Sequence, residues 1–309
     1  MVLAHETWFV PFMPKADWSF AGQGATLALL AAAVAVTLLV RLISYFWNGV
    51  DVPFLARMAP WMPFALRMHL AVSLIGLLSM GVYLSPAMDL DGSFGSVLLG
   101  ASMVLVAISM ASGWRVREGA WLLIGLGPVG MLEFGVVPVL ARLDLLGIAL
   151  FLLATGPGRW SADAELGRVQ LPGFTELARG VWALKLAVGY ALIVVAFQEK
   201  LANPALGLEF LREKPNFNVA NSLLHLDWTD TQFIRVAGAI EVLFGLLLIS
   251  GALPQVVVIL AGIPFNATLF YFGTSELVGH LPVYGTMLVL LVFGSHPELR
   301  KAVGALKPP

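Results

Sequence analysis

Charged residues in this chain fall in clusters separated by long uncharged intervals, and that spacing limits the fold more than any other feature. Twenty-three residues separate Asp17 from Arg41, nineteen separate His69 from Asp89, and twenty-three separate Asp91 from Arg115. A further 23 lie between Glu118 and Arg142, interrupted only by Glu133, and 19 lie between Arg179 and Glu199, interrupted only by Lys185. The longest interval, Arg235 to Glu276, holds 40 residues and contains Glu241. A helix needs about 20 apolar residues to cross a bilayer. The 40-residue interval therefore reads as two helices, hinged at Ser250-Gly251-Ala252-Leu253-Pro254. The expected architecture is all-α, a polytopic transmembrane bundle of about nine helices near 22–47, 64–84, 94–112, 119–140, 142–157, 176–197, 231–250, 254–273 and 280–294. The fifth is short: it either crosses at a tilt or re-enters, and re-entry would invert everything after it. Residues 1–21 read as an outer tail, 22–173 as a five-helix bundle, and 174–309 as a four-helix unit with an outer loop over 198–230.

Composition agrees. Hydrophobic residues make up 59% of the 309 and charged residues 12%, against about 25% charged in a soluble domain. A soluble chain with so few charges could not cover its surface, which excludes an ordinary cytosolic enzyme, a disordered chain and a nucleic-acid binder. The net charge of −1 advertises no polyanionic partner. The absence of cysteine removes disulfides, thiolate metal sites and thiol catalysis. Met1–Phe20 holds Lys15, Glu6, Asp17 and two prolines, so it does not read as a cleavable leader.

Lysine and arginine concentrate on cytoplasmic loops. With the N-terminus outside and nine crossings, the inner segments hold eleven of the eighteen, among them Arg41, Arg57, Arg115 and Arg117, and the outer segments hold six. The orientation read from this is N-terminus out, C-terminus in, in a bacterial inner membrane.

Glu133 and Glu241 stand out because intramembrane carboxylates must be paired, hydrated or protonated. Glu241 is eleven residues past Asp230, about 16 Å deep at about 1.5 Å per residue. Each acid reads either as a proton relay or polar substrate contact, or as a paired group locking helices. Asn266, near Pro264, is the expected neighbour of Glu241. Lys185 either snorkels to the inner headgroups or is a buried amine. Arg235, one turn into its helix, either pairs with Glu199 or steers an anion. With Asn266 these two cations form the candidate substrate-binding set. On the outer side His5, Glu6, His225, Asp227, Glu276 and His280 supply N and O donors of the kind that hold Cu, Zn or Fe. None of their spacings is a strong metal motif, and interfacial histidines bonded to water are the plainer reading.

Over about Phe174–Pro309 the chain resembles the DoxX family of four-helix membrane proteins. The likeness rests on Arg179 opening the first helix, on Lys200-Leu201 followed by a proline loop at Asn203-Pro204, and on an acid in the run Gly238-Ala239-Ile240-Glu241 before a helix ending at Gly251. Where the family usually has glycine three residues before the lysine, this chain has Phe197. DoxX relatives include a membrane subunit of thiosulfate:quinone oxidoreductase and proteins linked to methylamine dehydrogenase maturation. The resemblance implies a redox-associated membrane subunit acting at the outer face. Its cofactor would be a quinone or a Cu, Zn or Fe ion, and its partners the bilayer with a redox protein or other subunits. Glu133, Glu241 and Lys200 would carry its chemistry. A small-solute transporter or channel, and a non-catalytic assembly subunit, are the alternatives.

Overall fold

Glycine and proline set where the helices stop. The protein's structure, a computed structural model, describes residues 10, 15–169 and 172–307, without the side chains of 270, 271 and 274–276. The helices of ten residues or more are α1 (Gly24–Phe46), α2 (Met62–Ser79), α3 (Phe94–Ser112), α4 (Val116–Phe134), α5 (Leu143–Thr155), α6 (Phe174–Ala196), α7 (Pro204–Glu213), α8 (Asp230–Ser250), α9 (Pro254–Phe272) and α10 (Thr274–Gly294). Six of them, α1, α2, α3, α6, α8 and α10, are long and apolar enough to cross a membrane; α5 and α9 contribute shorter apolar stretches. The α8–α9 hinge falls at the expected place. Gly251 ends α8 at φ 64°, a left-handed turn that only glycine adopts freely, and Pro254 opens α9. A capping box of Thr229 and Gln232 starts α8.

One expected span is broken. The interval 119–140 forms α4 and then, after Gly135 at φ 88°, a separate short helix Val136–Leu140. The chain then turns at Arg142, whose guanidinium bonds both carboxylate oxygens of Asp144 at 3.2 Å. From there α5 runs back beside α4. Its far end reaches Arg67, which also holds the last turn of α3. The fifth segment thus runs antiparallel to α4 for 13 residues, about 20 Å, which is shorter than a full crossing.

α5 packs most closely on α6, α6 also packs on α8, and α2 packs on α10. The α6–α8 crossing is tight. A methyl group on Gly189 would come within 2.6 Å of the Gly245 carbonyl, and one on Gly245 within 2.6 Å of the Gly189 carbonyl. Small residues that let backbones approach are the usual substitute for hydrophobic driving force between helices in lipid. α1 and α9 are peripheral. The outer face of α1 shows Leu38, Leu39 and Leu42.

The two ends of the bundle differ. At one, cations close helix C-termini, where carbonyls lack intrahelical donors and the dipole is negative. Arg67 donates to Met110 at the end of α3 and to Pro157 (2.9 Å) and Trp160 (2.8 Å) beyond α5. Arg41 donates to Ser250 at the end of α8 (3.1 Å), and Arg300 to Gly294 at the end of α10 (2.6 Å). Lys185 is fully buried there and donates to Val303 (2.7 Å) and Ala305 (2.6 Å). At the opposite end, residues 202–229 form a cap around α7. Its aromatic core of Phe210, Phe217 and Phe233 also takes in Val10 of the N-terminal tail.

Candidate functional site

The site lies beneath the cap, where α6 changes pitch. Residues Phe197–Leu201 form a π-helical turn, closed by the Ala202 amide donating to the Phe197 carbonyl at 2.8 Å. Such turns are rare and recur at functional sites. Here the wider turn presents Lys200 to α8, and its ammonium lies 3.0 Å from the Glu241 carboxylate. Both side chains are buried, 3% and 2% exposed. Gly238 makes the approach possible. It lies one turn before Glu241 on the same face, and a methyl group there would sit 2.7 Å from Leu201 and 3.2 Å from the Lys200 side chain. Glu199 and Asn203 are buried on the same stretch of chain. A buried ammonium and carboxylate held in contact can share or pass a proton and can orient a polar ligand group.

A groove of about 470 Å³ flanks the π-turn. Trp18, Phe197, Val137 and Pro138 give it apolar walls, and Gln198 and Asn203 are its polar groups. Trp18 stacks on Phe197 with ring centres 5.8 Å apart. Trp18 and Val137 are exposed, so the groove opens on the flank of the bundle. The N-terminal segment is tied to the turn at this point, the Asp17 amide donating to the Ala202 carbonyl at 2.7 Å.

The other residues named from the sequence go elsewhere. Glu133 is not midway along a span. With the helix broken at Gly135 it is the penultimate residue of α4, exposed, and its carboxylate accepts from Ser93 at 3.5 Å. Asn266 is not beside Glu241. It is exposed on the outer face of α9 and donates to the Gly262 carbonyl one turn back at 2.7 Å. Lys185 does not snorkel: the C-terminal carbonyls reach it inside the bundle. The Arg235 guanidinium bonds Thr26 (3.0 Å) and Gln23 (2.5 Å) and lies over the Phe20 ring, so it staples α8 to the start of α1.

Among the described residues no group of three His, Asp or Glu side chains is placed to hold a metal ion. His225 and Asp227 lie exposed on the cap, both at positive φ. His280 is buried on α10, edge-on to Phe265 with ring centres 4.8 Å apart. His5 and Glu6 lie outside the described residues, as does the Glu276 side chain. Sequence reasoning named Lys200 and Glu241 without joining them, gave Gln198 no role, and read Gly238 only as part of the run around Glu241. A glycine one turn before a buried acid was the available signal.

Fold and site together define a polytopic, all-α membrane protein with a buried ion pair under a cap of short helices. Comparison with protein-family models, with curated proteins and with solved structures gave no match in any of the three.

Proposed function

We propose that this protein is a DoxX-like, redox-associated subunit of the bacterial inner membrane that binds a quinone-class molecule in the groove beside the π-turn. The observation that carries the reading is that one π-turn serves both features: its Phe197 and Gln198 line an apolar groove open to the side of the bundle, and its Lys200 makes the buried pair with Glu241. A quinone is flat and apolar, with two carbonyl oxygens. The Trp18 and Phe197 rings suit its faces, and the Gln198 and Asn203 amides suit its oxygens. Reduction to the quinol takes two electrons and two protons. Lys200 and Glu241 serve the proton side, and a redox partner docked at the cap end supplies the electrons. The pair also joins the two stretches on which the DoxX resemblance rests, Lys200-Leu201 and the Glu241 run, which supports reading 174–309 as the DoxX-like unit. In this reading the cap end faces outward, with the N-terminus outside and the C-terminus in the cytoplasm.

The test is equilibrium binding of a short-tailed ubiquinone analogue to the purified protein. A double variant, Lys200→Met with Glu241→Leu, replaces the pair by apolar groups, an exchange that buried ion pairs usually tolerate. It is expected to fold and to bind at least about tenfold more weakly, a loss of about 1.4 kcal/mol. Gln198→Leu is expected to weaken binding similarly. No binding to the unaltered protein, or undiminished binding to both variants, would overturn the reading.

A further inference from the structure

Asn266 is a polar residue on the wrong side of its helix for a monomer in lipid. It lies twelve residues past Pro254 and six before Phe272, about 18 Å and about 9 Å from the ends of α9 at about 1.5 Å per residue. It falls inside the apolar stretch of α9, Pro254–Leu269. Its neighbours on the same face, Ile259 and Ile263, are exposed at 60% and 64%. One amide hydrogen goes to the Gly262 carbonyl. The side-chain oxygen has no hydrogen-bond donor among the described residues. Hydrocarbon offers none, so the group needs a partner from outside the chain. Gly262 points the same way. A methyl group there would meet nothing closer than 3.7 Å, so internal packing does not require a glycine at this position. Glycine in mid-helix is otherwise unfavourable relative to alanine. Beside this face a shallow groove of about 490 Å³ runs between α9 and α10, with Met287 and Leu288 on its far wall.

We propose that α9 is the interface of a homodimer in which the Gly262–Asn266 faces of two copies cross about a twofold axis and the two Asn266 carboxamides hydrogen-bond to each other. A carboxamide is both donor and acceptor, so it is its own complement. A twofold axis brings identical residues together in this way, and the glycine lets the two backbones approach. The groove between α9 and α10 then receives Ile259 or Ile263 of the second copy. The inference does not depend on what the groove beside Lys200 binds.

The chain has no cysteine, so single introduced thiols report cleanly. Ile259→Cys and Ile263→Cys, oxidised in native membranes, are expected to give an adduct of twice the chain mass. Leu38→Cys on the exposed face of α1 serves as the background. Adding Gly262→Leu, whose Cβ would make only ordinary contact within the monomer (Met287 at 3.7 Å), is expected to abolish the adduct while thermal stability of the detergent-solubilised monomer changes by no more than that of Ile263→Cys alone. Asn266→Leu is expected to reduce it at least tenfold. No adduct above the Leu38→Cys background, or an adduct of any other mass, would overturn the proposal. So would an adduct insensitive to both Gly262→Leu and Asn266→Leu.

Discussion

A carboxylate and an ammonium 3.0 Å apart in an apolar interior attract strongly, but both have given up water to get there. The two terms nearly cancel, which is why such pairs add little net stability while losing one partner alone costs about 3–5 kcal/mol. Lys200 and Glu241 are therefore better understood through what they do than through what they hold together. Asp91 is the opposite case. It is exposed, and its carboxylate accepts from the Ser93 amide (3.0 Å) and the Ser96 hydroxyl (2.8 Å) ahead of α3. These bonds hold its pKa below the ordinary carboxylate value. The contribution is fully present above the ordinary carboxylate range and is lost as pH falls through the depressed folded value. Amide exchange at the start of α3 is expected to quicken on acidification across that window in the unaltered protein. In Asp91→Asn, exchange there should be faster at neutral pH and nearly pH-independent once intrinsic exchange rates are divided out; an unchanged acid response would refute the assignment. At this scale the sequence was only partly legible. Charge spacing identified Glu241 as deep, but the reading paired it with Asn266 on α9, where the structure sets it against Lys200 at the end of α6. It misplaced Glu133 because an uncharged interval looks the same whether or not Gly135 breaks it.

Helices were more legible than their partners. The α3 bounds read from charge spacing coincide with those in the structure, and α5, α8 and α9 differ by a residue or two. The reason is physical. Span length is set by bilayer thickness and is written in local composition, whereas packing depends on which faces carry small residues. Reading the glycines as contact points would have located one crossing. Gly189 and Gly245 face each other so closely that an added methyl group on either meets the other's backbone. Backbone cannot yield as a side-chain tip can. Gly189→Ala is expected to destabilise by about 1–3 kcal/mol, typical of overpacking, and Gly125→Ala, where the added group meets nothing within 4 Å, by none. Thermal unfolding in detergent checks both, and equal stability of the two variants would show that the crossing relaxes freely. The π-turn was not legible. Nothing in Phe197-Gln198-Glu199-Lys200-Leu201 announces the extra residue; it follows from tertiary contact between Lys200 and Glu241 and from Pro204 opening the next helix.

Across the whole molecule, one end is built of helix C-termini closed by cations and the other of an aromatic cap. The proposed orientation puts the cap outside. With no native cysteine to interfere, Ser222→Cys on the cap is expected to react with a membrane-impermeant maleimide in intact cells, and Lys301→Cys only after permeabilisation. The reverse pattern would invert the orientation. The cation-rich end has one more consequence. Arg67 is fully buried, and Arg41 and Arg300 each spend donors on helix carbonyls. Residues that count toward orientation while the chain inserts are thus partly withdrawn from solvent once it folds. The charge that an emerging chain shows to an anionic membrane surface is a transient property, and the finished protein attracts that surface less than its sequence implies.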